Sequence, residues 1–135
     1  MNPTRARLLL VDDQESVRET TAALLSDDFE VTCAPDGFRA LELFAKQPFD
    51  VVCADYNMPG MSGAELLRRA RALRPCATVL VTAHSEFVDA IAPELLQSFA
   101  VVLKPYEPQI LIDTANRAHM LLKVNDIVKP RRKLA

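Results

Sequence analysis

The sequence predicts an α/β fold: a doubly wound, five-stranded parallel sheet with helices on both faces. Three observations predict it. Five short apolar runs rich in Leu or β-branched residues recur at positions 7–11, 29–33, 51–54, 78–81 and 99–103. Stripes with a helical period lie between them. The first, third and fourth runs show little polar alternation, as expected of strands covered on both faces. Strict alternation of strand and helix implies right-handed crossovers and a parallel sheet.

The elements follow in chain order. "RLLLV" is the first strand and ends at Asp12 and Asp13. Val17, Thr21, Leu24 and Leu25 form the first helical stripe. "FEVTC" is the second strand, and Asp36-Gly37 marks a turn. Phe38, Leu41, Phe44 and Ala45 form the second stripe. "VVCA" is the third strand, followed by Asp55 and a turn at Pro59-Gly60. Ser62-Gly63-Ala64-Glu65 reads as a capping box. Behind it Leu66, Leu67, Ala70 and Leu73 face inward, while Glu65, Arg68, Arg69 and Arg71 face out. "TVLV" is the fourth strand, ending at Thr82. Pro93 interrupts "FVDAIAPELLQS", so a helix there starts late or kinks. "FAVVL" is the fifth strand, ending at Lys104. Pro108 stands where a first helical residue would, after Glu107, and Ile110, Leu111, Thr114, Ala118 and Leu121 form the last stripe.

The 135 residues fit one domain with a real core. Half are hydrophobic and a quarter charged, an ordinary globular mix. A net charge of -2 favours neither nucleic acid nor an anionic membrane. No apolar run approaches a membrane span of roughly 18 residues, and "LLLV" is too short for a signal-peptide core. Cys33, Cys53 and Cys76 make an odd set without a C-x-x-C, which reads as reduced thiols in a cytoplasmic protein. The domain is expected to occupy residues 1–124. Residues 125–135 turn basic and read as a solvated C-terminal tail or the start of a linker.

Asp12, Asp13, Asp55, Thr82 and Lys104 all follow apolar runs, so all fall at the carboxyl rim of the sheet, where open α/β sheets bind ligands. Two carboxylates about 4 Å apart repel by about 4 kcal/mol at an effective dielectric of 20. Three at one site suit a hard divalent cation with oxygen ligands, most simply Mg²⁺, which bridges readily to phosphate. Lys104 supplies a point charge for a phosphate oxygen and Thr82 a hydroxyl donor. One carboxylate can then act as the nucleophile toward phosphorus. Taken singly, each residue has a plainer reading: Asp13 as a helix cap, Asp55 as a strand-to-loop Asp, Thr82 as a β-branched strand residue, Lys104 as a snorkelling lysine. Their joint placement at the strand ends favours the shared site.

The motifs "LLLVDDQES", "VVCADYNMPGMSGAELL", "VLVTAHS" and "VVLKPY" together resemble the receiver domain of two-component response regulators, over residues 7–122. The resemblance implies a (βα)5 flavodoxin-like fold with strand order 2-1-3-4-5. It implies that Asp55 is the phosphoryl acceptor and that Asp13 binds Mg²⁺ directly, with Asp12 acting mainly through water. It further implies that the Asn57 backbone carbonyl completes the metal shell, and that Thr82 and Lys104 are the switch hydroxyl and the conserved lysine. Lys104-Pro105 resembles the family's cis peptide. The implied partners are a sensor histidine kinase or phosphotransfer protein, and an output domain or downstream protein reached through the 83–123 surface, with a phosphorylation-dependent homodimer as a further option. A membrane or direct nucleic-acid role is not implied. Such a domain is not an enzyme and assists only its own phosphorylation and dephosphorylation. Two departures stand out: Val101 occupies the place where receivers often carry Tyr or Phe, and Pro93 falls within the helical pattern after Thr82.

Other classes fit less well. A haloacid-dehalogenase phosphatase needs a second Asp two residues after the nucleophile, and Asn57 is an amide that cannot do acid–base work. A flavodoxin-like cofactor binder needs a phosphate-friendly first loop, and "DDQES" repels phosphate. No G-x-x-x-x-G-K-[ST] supports an NTPase. Two alternatives remain within the receiver class: a module cut from a longer regulator with an output domain, and a receiver-like interaction domain that signals without phosphate.

Overall fold

The computed structural model describes residues 5–83 and 100–134, with side chains described as far as residue 124. Its elements run β1 (Ala6–Val11), α1 (Glu15–Leu25), β2 (Phe29–Ala34), α2 (Gly37–Lys46), β3 (Val51–Asp55), α3 (Gly63–Leu73), β4 (Ala77–Thr82), β5 (Ala100–Leu103) and α4 (Pro108–Leu134). The expected helix containing Pro93 lies outside the described residues.

The sheet is parallel throughout, in the order β2-β1-β3-β4-β5. Successive strand residues point to opposite faces, and both faces are covered. Leu9, Val11, Val52, Ala54 and Leu80 meet Ala40 and Phe44 of α2 and Leu66, Leu67 and Ala70 of α3. Leu8, Leu10, Val51, Cys53, Val79, Val81 and Val102 meet Leu25 of α1 and Leu111 and Ala115 of α4. This two-sided burial explains why the central strands read as unbroken apolar runs.

Two helix starts are capped. Ser62 Oγ accepts from Glu65 N at 3.2 Å, but the Glu65 carboxylate pairs with Arg68 and Arg69 instead of turning back. Only half of the expected capping box forms. Asp36 caps α2 by accepting from Arg39 N at 2.8 Å. Pro108 is the first residue of α4, as its missing N–H allows. Gly60 has φ 84°, the left-handed conformation a side chain resists.

Three stripe edges differ from the sequence reading. Phe38, Ala45, Leu73, Ile110 and Leu121 are exposed. The buried faces are Gly37, Ala40 and Phe44 on α2, and Leu111 and Ala115, flanked by Ile112, Ala118 and Leu122, on α4. The backbone of α4 also continues helically through residues 125–134, where the sequence suggested a tail.

Candidate functional site

Register alone brings the polar residues together. Val11 pairs with Ala54, so Asp12 and Asp55, each the next residue, stand side by side at the ends of neighbouring strands. These two strands also mark the place where the chain changes direction across the sheet, the usual position of an α/β ligand site. Asp55 pairs with Val81, and Thr82, the next residue, pairs with Leu103. Lys104 follows, its amide donating to Thr82 O at 2.8 Å.

Lys104 Nζ lies 2.8 Å from Asp55 Oδ1, with side chains 31% and 12% exposed respectively. Burial works to lower the Lys104 pKa. The hydrogen bond to Asp55 and the charges of Asp55 and Asp12 more than offset it, and the ammonium titrates above its ordinary value. Asp12 is buried. Its carboxyl is pushed above the ordinary aspartate range, first by desolvation and then by the Asp55 charge; the amide of Gln14, which donates to Asp12 Oδ1 at 3.0 Å, opposes the shift. Arg18 Nη1 donates to the Asp12 carbonyl at 2.8 Å and fixes the same turn from α1. Thr82 is buried at the end of β4. Asp13 is exposed and does not cap α1, whose N-cap is Gln14. Asn57 is exposed in the loop after β3. Lys104-Pro105 is cis.

Sequence reasoning missed Gln14, Arg18 and Gly63. The first two act through backbone contacts that no motif announces. Gly63 did carry a signal, since glycine in a first helical turn lacks a propensity reason. Its amide donates to Tyr56 O at 2.9 Å.

The arrangement sets one ammonium against neighbouring carboxylates on a rim open to solvent, with oxygen atoms as the donors. Among the described residues no three His, Cys, Asp or Glu side chains gather into a group that could hold a metal ion by itself. Mg²⁺ does not require such a cage, because it keeps several waters and takes one or two carboxylates together with substrate phosphate. The charge strain on Asp12 and the all-oxygen donor set fit such an ion. A groove of about 300 Å³ runs along α1, lined by Ser16, Val17, Thr20, Thr21, Leu24 and Tyr106.

Fold and rim define a class: doubly wound α/β domains whose strand ends carry an acid cluster opposed by a lysine. The particular family is the response regulator receiver domain, whose profile matches residues 8–116, and the chain belongs to it. It is 35% identical over 106 residues to the sensory transduction protein RegX3 of Mycolicibacterium smegmatis, covering 78% of this chain and 46% of that protein. It superposes on a response regulator receiver domain from Clostridium thermocellum with a TM-score of 0.79 and 29% identity, over 88% of this chain and 98% of the other. For the chemotaxis protein CheY4 of Vibrio cholerae the TM-score is 0.77 and the identity 29%, over 85% and 99%. The chain spans about half the length, or less, of the curated relatives it matches. No helix among the described residues is long and apolar enough to cross a membrane.

Proposed function

We propose that Asp55 accepts a phosphoryl group from the phosphohistidine of a sensor kinase or phosphotransfer protein, or from a small acyl phosphate. The observation that carries this reading is the Lys104–Asp55 contact of 2.8 Å, made beside a buried second acid at the ends of β1 and β3. Lys104 holds Oδ1, and Oδ2 is left to attack phosphorus. The Oδ2–P bond forms as the donor's N–P or acyl O–P bond breaks, and the leaving imidazole or carboxylate departs with the bonding pair. Catalysis here is positioning and charge neutralisation.

Asp12, Asp13, Asp55 and the Asn57 carbonyl are the groups that would hold Mg²⁺. When bound, the ion supplies positive charge against the phosphoryl oxygens. Lys104 serves one phosphoryl oxygen and Thr82 another. Because the phosphorylated and free states then differ in what Thr82 and Lys104 contact, phosphorylation can shift a conformational population and alter partner binding. The coverage of longer relatives favours a second statement within this reading, that the domain is one module of a regulator with an output domain.

The experiment is intact mass after incubation with acetyl phosphate and Mg²⁺. One phosphoryl adduct is expected. It should be absent in Asp55→Ala and without Mg²⁺. An adduct that persists in Asp55→Ala refutes the acceptor.

A further inference from the structure

The backbone that follows Asp55 is clamped from two sides. Tyr56 N donates to Val81 O of β4 at 2.7 Å, and Gly63 N, in the first turn of α3, donates to Tyr56 O at 2.9 Å. A Cβ placed on Gly63 would lie 2.3 Å from the Asp55 carbonyl oxygen and 2.8 Å from its carbonyl carbon. Carbon and oxygen normally meet no closer than about 3.3 Å. The first residue of α3 therefore sits directly on the backbone of Asp55. Sideways escape is closed as well, because Leu80 Cδ1 would be 3.0 Å from the same Cβ.

We propose that Gly63 is a positioning residue for phosphoryl transfer: its missing side chain sets where Asp55 stands relative to Lys104 and Asp12. The proposal rests on the reading of Asp55 as acceptor. Any side chain at position 63 must push the Asp55 carbonyl away or lift α3, and both motions reach the acceptor through a single peptide unit. Reactive groups need placement to within about 0.5 Å, and an error near 1 Å can cost on the order of 100-fold in rate.

Gly37 provides a matched comparison. It also opens a helix after a capping residue, α2 after Asp36. A Cβ there would meet Met61 Sδ at 2.7 Å, an atom of a flexible side chain rather than of backbone. Met side chains have three rotatable bonds and readily repack. The same substitution at the two sites thus changes helix chemistry equally and differs in what it displaces.

The test measures phosphorylation by acetyl phosphate with Mg²⁺, followed by intact mass, for the wild-type protein, Gly37→Ala and Gly63→Ala. It is run at a temperature where circular dichroism shows each variant folded. Gly37→Ala should react within about twofold of wild type. Gly63→Ala should lose at least about tenfold in the rate constant at saturating acetyl phosphate, with its half-saturation concentration little changed. A folded Gly63→Ala that reacts within about twofold of wild type overturns the proposal, as does an equal loss in Gly37→Ala. If Gly63→Ala does not fold, Ser62→Ala replaces it, loosening the same turn by removing the Ser62 Oγ cap without a clash. A loss of about threefold or more is then expected, and a wild-type rate overturns the proposal. Failure of the wild-type protein to take any phosphoryl group instead removes the acceptor reading, and this inference with it.

Discussion

Asp12 shows what gathering acids at the rim of the sheet costs the protein. It is buried, and its carboxyl titrates above the ordinary aspartate range because of desolvation and the Asp55 charge beside it. A carboxyl whose folded pKa exceeds its unfolded value opposes folding when ionised. That opposition is present while the group is ionised and fades as the pH falls through the folded value. Asp12→Asn keeps an oxygen for the Gln14 amide and removes the charge. In metal-free buffer at pH 7 it should therefore melt higher than wild type, by on the order of 1 kcal/mol or a few degrees. The advantage should shrink on acidification. Mg²⁺ should reverse the ranking, since an ion at ten times its Kd stabilises wild type by about 1.4 kcal/mol, and the variant should lose most of that gain. Thermal melts across pH, with and without Mg²⁺, decide it; an Asp12→Asn that melts lower than wild type without metal refutes the strain. Asp12, Asp55, Thr82 and Lys104 were legible in sequence because each follows an apolar run, and strand register does the rest. Gly63 was legible only as a glycine with no propensity reason in a first helical turn; the carbonyl it makes room for was not, because a close approach of backbone has no spacing pattern.

Helix ends show how one element finishes another. The last turn of α2 leaves carbonyls without intrahelical partners, and Arg74, the C-cap of α3, supplies donors across the gap. Its Nη2 donates to Gln47 O at 2.9 Å and to Phe44 O. Its guanidinium also stacks on the Phe44 ring, 4.4 Å from the centroid. Arg7 lies over Phe49 in the same way at 5.5 Å, and Phe44 and Phe49 are stacked with centroids 6.4 Å apart. Arg74→Ala should lose about 2 kcal/mol through the two charge-assisted hydrogen bonds and the ring contact. Arg74→Lys should recover only part, because an ammonium lacks the planar fork. Urea midpoints measure both; a full recovery by Lys would show that charge alone matters. None of this was visible in the sequence, where Arg74 is only another basic residue in "RRARALRP". Helix existence was legible from period, but helix phase was blurred at the edges. Phe38, Leu73, Ile110 and Leu121 each sit next to the true buried face, and hydrophobicity alone does not separate a core position from its neighbour on the flank.

At the scale of the whole molecule, the three cysteines divide into one exposed thiol and two buried ones. Cys33 lies exposed on the edge strand β2, whereas Cys53 is buried at the centre of the sheet and Cys76 is buried just before β4. Burial, reinforced by the Asp12 and Asp55 charges, pushes the Cys53 thiol up to about 12, and burial pushes Cys76 up to about 11. At pH 8 the Cys53 thiolate is then a fraction of about one in 10,000, and only the thiolate attacks. Access is closed as well, since both faces of the sheet are covered. Cys53 can therefore react only when the sheet opens, and a stability of about 5–15 kcal/mol makes such openings rare. A disulfide reagent at pH 8 should titrate one thiol, Cys33, within minutes. Cys53 should follow over hours or longer, and all three should react at once in denaturant. The Cys53 rate should rise with urea along the slope of global unfolding, because no smaller opening exposes a strand flanked by neighbours on both sides. Labelling of Cys53 that is slow but independent of urea would show a local breach between β1 and β3, at the strand ends where the two acids stand.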